Sequence, residues 1–317
     1  MSDRTTRPAA ALAALAAGAC LLATVARAQA PSGRRQPSFR AEIEVINLTV
    51  SVTDADSRYV TTLDRADFAV FEDGIKQSLS LFTHENLPIS LVLMIDTSSS
   101  MDDKLTVAQT AAIEFTKTLR PQDSASVIQF NDRATTLQSF TPDQALLATA
   151  IRSTRAAGPT ALHNALYIAL KELQKQKSAA ELRRRAIVLL SDGEDTASLV
   201  SDEQVQELAR QSEVAIYAIS LRPNRPGDRE RLAFSQAVHL LTSLARDSGG
   251  QVFFPNSLSE LDAVYGRIAE ELRTQYSLGY VSDNARRDGK WRRIVVRVAQ
   301  RPELVVRHKL GYYAPTP

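Results

Sequence analysis

Asp96-Thr97-Ser98-Ser99-Ser100 sets a carboxylate and two hydroxyls at alternate positions directly after an apolar run, Ile89 to Ile95. A tight loop can turn the oxygens of Asp96, Ser98 and Ser100 to one side. A hard divalent ion such as Mg²⁺ takes oxygen donors in an octahedron of about 2.1 Å radius, and carboxylate and hydroxyl oxygens suit it. The same residues suit a second duty, because Asp and Ser after a strand also cap the next helix by accepting its unpaired N–H groups. On these five residues alone both duties are open. Two further segments bear on the choice. Gly158-Pro159-Thr160 puts a hydroxyl at the start of a helical pattern, and Leu189-Leu190-Ser191-Asp192-Gly193-Glu194-Asp195 puts Asp192 at the end of a second apolar run. Singly, Thr160 reads as a helix cap and Asp192 as a turn residue. Together with Asp96, Ser98 and Ser100 they point to one cation site.

Such a site needs strands that end together. Ile89–Ile95 and Ala186–Leu190 are almost continuously apolar, the mark of strands covered on both faces of a parallel sheet. Ser126–Phe130 and Val214–Ile219 read as further strands, and Thr135–Phe140 as an antiparallel edge. Helical periodicity lies between and after them: Leu105, Ala108, Ala112, Phe115 and Leu119 share one face, and 161–174, 203–211, 232–246 and 258–273 repeat the pattern. Strand alternating with helix predicts a doubly wound α/β fold, with ligands at the carboxyl ends of its strands.

The flanks differ. Ile43, Val45, Leu48, Val50 and Val52 alternate with polar residues, Phe68, Val70 and Phe71 lead to the turn Glu72-Asp73-Gly74, and Gln77–Phe82 reads as the return strand. Past Arg273, alternation resumes at Tyr276, Leu278 and Tyr280, then at Ile294, Val296 and Val298, then at Leu304, Val306 and His308. Neither flank has enough strands to be stable alone. The economical solution joins them in one β-sandwich with the α/β domain inserted between.

Asp-x-Ser-x-Ser, a loop Thr, then Ser-Asp-Gly at a later strand end resembles the metal-ion-dependent adhesion site of von Willebrand factor A (VWA) domains, over about Pro88 to Tyr276. The resemblance implies the mostly parallel, Rossmann-like VWA fold and a bound Mg²⁺ or Mn²⁺. Ser98, Ser100 and Thr160 would touch the ion directly, Asp96 and Asp192 largely through water, and an Asp or Glu carboxylate of a protein partner would complete the octahedron. Pro159 stands where the family often has glycine. Some relatives hold a second cation on a neighbouring Asp pair; of that pair only Asp103 matches, and Lys104 stands in the second place. Asp102 and Asp103 also suit a helix N-terminus. Asp67-Phe68-Ala69-Val70-Phe71-Glu72-Asp73-Gly74, Gln275-Tyr276-Ser277-Leu278-Gly279-Tyr280 and Gly311-Tyr312-Tyr313 resemble a family of bacterial exported VWFA-related proteins.

The start of the chain is basic at Arg4 and Arg7, apolar from Ala9 to Val25 and small-residued at Ala26-Arg27-Ala28, the order of a secretory signal peptide. The alternative, an uncleaved anchor, would span with roughly 17 residues, the lower limit for a bilayer. Cleavage after Ala28 is expected; a second site after Ala30 would leave Pro31 first. The sole cysteine, Cys20, lies within the apolar run, so the mature chain has no disulfide and no cysteine metal site. Basic and acidic residues then balance, and no basic run suggests nucleic acid. The expected organisation is a signal peptide 1–28, a linker 29–39, sandwich strands 40–87, the VWA domain 88–275 and further sandwich strands 276–317. Nucleophile elbow, phosphate loop and His-Glu-x-x-His are all missing from the sequence, and His84, His163, His239 and His308 are scattered, with only His163 near Thr160. The expectation is a secreted or periplasmic binding module rather than an enzyme, with no stable membrane span after cleavage. The alternatives are an envelope assembly module whose metal only stiffens a loop and, ranked behind it, an enzyme whose site carries no recognised motif.

Overall fold

The computed structural model describes residues 45–84, 87–176, 182–221 and 236–316; the signal-peptide and linker expectations lie outside them. Its centre is β5 (Ile89–Asp96), in which every residue is buried. Alternate side chains of this strand feed two different cores, as the two-residue period of a strand requires. Leu91, Leu93 and Ile95 pack with α1 (Leu105–Lys117), α2 (Gln144–Ser153) and α6 (Leu261–Thr274). Val92 and Met94 pack with α3 (Leu162–Lys175), α4 (Asp202–Gln211) and α5 (Gln236–Ser248). Burying a Leu, Ile, Met or Val side chain stabilises by about 1.5–3 kcal/mol. Helices on both faces therefore select a near-continuous apolar strand.

Parallel partners of β5 are β6 (Ser124–Phe130) and β8 (Arg184–Ser191). β9 (Val214–Ser220) and the short β10 (Gln251–Phe253) extend the sheet on one side, and the antiparallel edge β7 (Ala134–Thr141) on the other, in the order β10-β9-β8-β5-β6-β7. The chain leaves β5 for β6 on one side and later returns to β8 on the opposite side. The strand order reverses here, between β5 and β8, and in open α/β sheets such a point, at the carboxyl ends of the strands, is where ligands bind.

Strands from both flanks build the sandwich, as the sequence predicts. One sheet has the order β13-β1-β11-β4, with β1 Val45–Thr53, β4 Leu79–Thr83, β11 Tyr276–Val281 and β13 Val305–Arg307; the other is β14-β12-β2-β3, with β2 Phe68–Glu72, β3 Ile75–Gln77, β12 Trp291–Val298 and β14 Gly311–Tyr313. Ile46, Leu48, Val50, Phe68, Val70, Tyr276, Leu278, Ile294 and Val296 share one core. Asp73 and Gly74, with φ of 47° and 85°, make the hairpin turn between β2 and β3, where left-handed backbone matches the strand twist. Two strand expectations need correction. Gln77–Phe82 is not one strand: Gln77 ends β3 in one sheet and Leu79 begins β4 in the other. Likewise the alternation at Leu304–His308 gives only the three-residue β13, and the chain then crosses to β14. In both places the pattern is continuous in sequence because both sheets face the same core.

The inserted domain is tied to the sandwich by a buried polar cluster. Glu271 of α6 is fully buried; its Oε1 accepts from Ser51 Oγ at 2.7 Å and Tyr217 OH at 2.9 Å, and its Oε2 accepts from Tyr59 OH at 3.0 Å and pairs with Arg307. Gln275 Nε2 donates to Tyr217 OH at 2.9 Å. Residues from β1, β9, α6 and β13 meet there. Among the described residues no helix is long and apolar enough to cross a membrane.

His308 carries a pH prediction. Its Nε2 accepts from Val296 N–H at 3.1 Å, which leaves the proton on Nδ1, facing the carbonyl of Lys309 at 2.7 Å. Burial holds its pKa below the ordinary 6.5. The unfolded chain then binds a proton that the folded one refuses, so stability is complete above 6.5 and declines as pH falls toward the depressed folded value. The melting temperature of wild type is expected to drop between pH 7.5 and 5.5 by more than that of His308→Gln, whose amide can still accept. Equal drops would refute this.

Candidate metal centre

Asp96 closes β5 opposite Phe130 of β6 and beside the end of β8. Its side chain is sealed from solvent: Oδ1 accepts from Ser98 N–H at 2.8 Å and Oδ2 from Ser191 Oγ at 2.5 Å. Thr97 bends the chain away from the sheet, its N–H donating to Phe130 O at 2.7 Å. A 3-10 turn, Ser99–Met101, follows, and Met101 is fully buried, so the loop is pinned into the core just beyond its oxygens.

Two other loops are bonded to this one. Ala157 N–H donates to Thr97 O at 2.8 Å and Ser99 N–H to Gly158 O at 2.9 Å. Gly158 has φ of 74°, a conformation that favours glycine. The carbonyl of Thr160 accepts from Thr196 N–H at 2.8 Å and Ala197 N–H at 3.1 Å, which holds the segment after β8 against it. Gly193 lies so close that a Cβ there would stand 3.1 Å from Thr160 Oγ1 and 3.7 Å from Asp96 Oδ2. The absence of a side chain leaves room between the carboxylate and the hydroxyl.

The five residues named from the sequence therefore converge. Ser98 Oγ and Ser100 Oγ are 3.1 Å apart, and Ser100 Oγ donates to Asp192 Oδ1 at 2.7 Å. Capping does not account for them. The N-cap of α1 is Lys104 and that of α3 is Ala161, neither with a side-chain cap bond, and Ser98 makes none to the 3-10 turn. Exposure is graded, from Asp96, Ser98 and Thr160, all buried, to Ser100 at the surface. Desolvation raises the Asp96 pKa, opposed by its bonds from Ser191 and Ser98 and reinforced by the nearby charge of Asp192. A buried carboxylate in this state gains from any added positive charge.

Sequence reasoning missed three contributors. Ser191 grips Asp96 from the adjacent strand end; its place directly before Asp192 was the available signal. Gly193 supplies the clearance just described. Lys104 donates to Ser100 O at 2.8 Å and pairs with Asp192 Oδ2. It also stands 3.7 Å from Asp103, an exposed residue, so an ammonium fills the position of the second Asp. His163 does not reach the oxygens. Its ring Nδ1 meets the Val200 carbonyl at 3.2 Å, and its backbone N–H donates to Asp195 Oδ1 at 3.2 Å, bracing the loop after β8.

Residues 91–194 match the family model described as von Willebrand factor type A domain. The chain carries a VWA domain. A UPF0353 protein of Nocardia farcinica (strain IFM 10152) is 27% identical over 222 residues, covering 61% of this chain and 66% of its own. Inter alpha-trypsin inhibitor, heavy chain 4, of Mus musculus is 27% identical over 220 residues, covering 64% of this chain but 22% of its own. The chain thus spans less than two thirds of either relative. A solved structure titled von Willebrand factor type A from Catenulispora acidiphila superposes with a TM-score of 0.50 at 12% identity, over 87% of this chain and 75% of that one, a likeness of fold. The loops of the VWA domain have the donor chemistry of a hard cation site. Neighbouring ligands of an octahedral ion about 2.1 Å from its oxygens stand about 3 Å apart, close to the separations of Ser98 Oγ from Ser100 Oγ and of Ser100 Oγ from Asp192 Oδ1. Among the described residues no three His, Cys, Asp or Glu side chains cluster as a metal site; hydroxyls of Ser98, Ser100 and Thr160 make up most of this donor set.

Proposed function

We propose that the protein is an exported binding module whose VWA domain engages another protein through a divalent ion, Mg²⁺ or Mn²⁺, held by Asp96, Ser98, Ser100, Thr160 and Asp192. The observation that carries this reading is the run of Ser98, Ser100 and Asp192 oxygens, each about one octahedral edge from the next, on loops that carry no helix cap and are graded from sealed Asp96 to exposed Ser100. Asp96 and Asp192 would balance the ion's charge while the hydroxyls, being neutral, leave it electrophilic. The ion would supply a Lewis-acidic point for an outside carboxylate. The chain's own part is to fix the oxygens: Ser191 and Ser98 N–H orient Asp96, and buried Met101 anchors the loop. VWA domains generally serve adhesion or assembly rather than catalysis, which supports the reading. The basic-apolar-small start of the sequence supports export to the periplasm or medium, with the VWA domain at 88–275 between sandwich segments 40–87 and 276–317.

The test is capture from envelope and medium fractions on immobilised mature protein. Proteins held in Mg²⁺, released by EDTA and not held by Asp96→Ala are the expected result. A metal-induced rise in melting temperature without any metal-dependent partner would instead favour an assembly module whose ion stiffens the loops.

A further inference from the structure

Resting on the reading that the oxygen cluster takes a divalent ion, we propose that Lys104 is a tethered cation that competes with that ion for Asp192 and so sets the affinity of the site. The Asp192 carboxylate is divided between two neighbours. Oδ1 accepts from Ser100 Oγ at 2.7 Å, on the side of the cluster, and Oδ2 pairs with the Lys104 ammonium, whose other bond at 2.8 Å goes to Ser100 O. The pair is sheltered, with the Asp192 side chain 4% and the Lys104 side chain 20% exposed. The backbone of Lys104 is fixed: its N–H donates to Met101 O at 2.9 Å, its carbonyl accepts from Ala108 N–H at 3.0 Å, and Met101 is sealed in the core. The ammonium is thus held at high effective concentration beside the carboxylate, unlike any cation from solution.

Two consequences of opposite sign follow. Without an ion, Lys104 offsets the charge that Asp192 sets beside buried Asp96, so it steadies the oxygens of Ser100 and Asp192. With an ion, the same charge faces a divalent cation across the Asp192 carboxylate. Coulomb's law puts a unit charge about 5 Å from a divalent ion at roughly tenfold in affinity, even at the dielectric of bulk water. Asp103, 3.7 Å from the ammonium but largely exposed, offsets little of this. The site is therefore held in shape at the expense of affinity, tuned to take its ion only where that ion is plentiful.

The experiment titrates Mn²⁺ and Mg²⁺ into purified mature wild type, Lys104→Met and Lys104→Arg by calorimetry, with metal-free melting temperatures and circular dichroism alongside. Lys104→Met is expected to bind about tenfold tighter while melting lower without metal; Lys104→Arg stays near wild type. Should Lys104→Met fold poorly, Lys104→Gln gives the same comparison. Binding by wild type with equal or weaker binding by a folded Lys104→Met overturns the competition and leaves the cation site standing. Binding by Lys104→Met alone, with none by wild type, supports it in its strongest form. No binding by either at millimolar metal removes the cation site and this inference with it.

Discussion

Replacing Asp96 by alanine is expected to abolish the rise in melting temperature that saturating Mg²⁺ or Mn²⁺ gives the mature chain. A ligand that binds only the folded state at a hundred times its Kd stabilises it by about 2.7 kcal/mol. For a chain of this size that corresponds to about 4–5 °C, an effect well outside the error of a melt. Asp96 decides the outcome because it is the fully buried carboxylate of the cluster, oriented by Ser191 and by the Ser98 N–H. Its charge is a liability in the absence of a counter-ion, since burial raises its pKa. Alanine removes that liability together with two hydrogen bonds, so the metal-free melting temperature is expected to move far less than the metal response. Differential scanning fluorimetry with and without EDTA reads both quantities. An undiminished metal shift in Asp96→Ala would rule out the cation site in the form argued.

The second large effect concerns stability alone. Glu271→Ala is expected to cost about 3–5 kcal/mol, because removing one member of a buried ion pair leaves the other uncompensated. Arg307 loses its carboxylate, and the hydroxyls of Ser51, Tyr59 and Tyr217 lose their common acceptor in the same step. The burial that seals Glu271 also raises the Tyr217 pKa strongly, with the neighbouring carboxylate as the next cause, so the tyrosine stays a neutral donor. Glu271→Gln keeps an acceptor but loses the charge against Arg307, and should fall between wild type and alanine. Urea unfolding checks both variants; a change under 1 kcal/mol in Glu271→Ala would show that the cluster is not a structural tie.

Much of the architecture was legible because it rests on local pattern. Ile89–Ile95 and Ala186–Leu190 could be read as two-face-buried strands without knowing what covers them, and their shared end is where Asp96 and Asp192 meet. Helix α2 escaped notice, although Pro142 and the cap Asp143, whose carboxylate accepts from Ala145 and Leu146 N–H, announce its start. Its face is alanine-rich around Leu147 and Ile151, so the periodicity is faint. The crossings from β3 to β4 and from β13 to β14 escaped for another reason, since alternation records which side faces the core and says nothing of which sheet a residue joins. At the site, Asp-x-Ser-x-Ser is a short-range signal. The grip of Ser191 on Asp96 joins residues 95 apart, and that of Lys104 on Asp192 residues 88 apart. Such contacts follow only once β5 and β8 are known to be neighbours.

The way the chain enters and leaves the inserted domain has a mechanical consequence. β4 and β11, the last strand before the insertion and the first after it, are antiparallel partners, with Thr83 opposite Ser277. β1 in turn lies between β11 and β13. Tension applied at the two termini therefore passes first through the ladders of the sandwich, and the two connections of the VWA domain, fastened to each other, are shielded from being pulled apart. A ligand gripped at its rim could be held under load without the oxygens of the site being drawn apart.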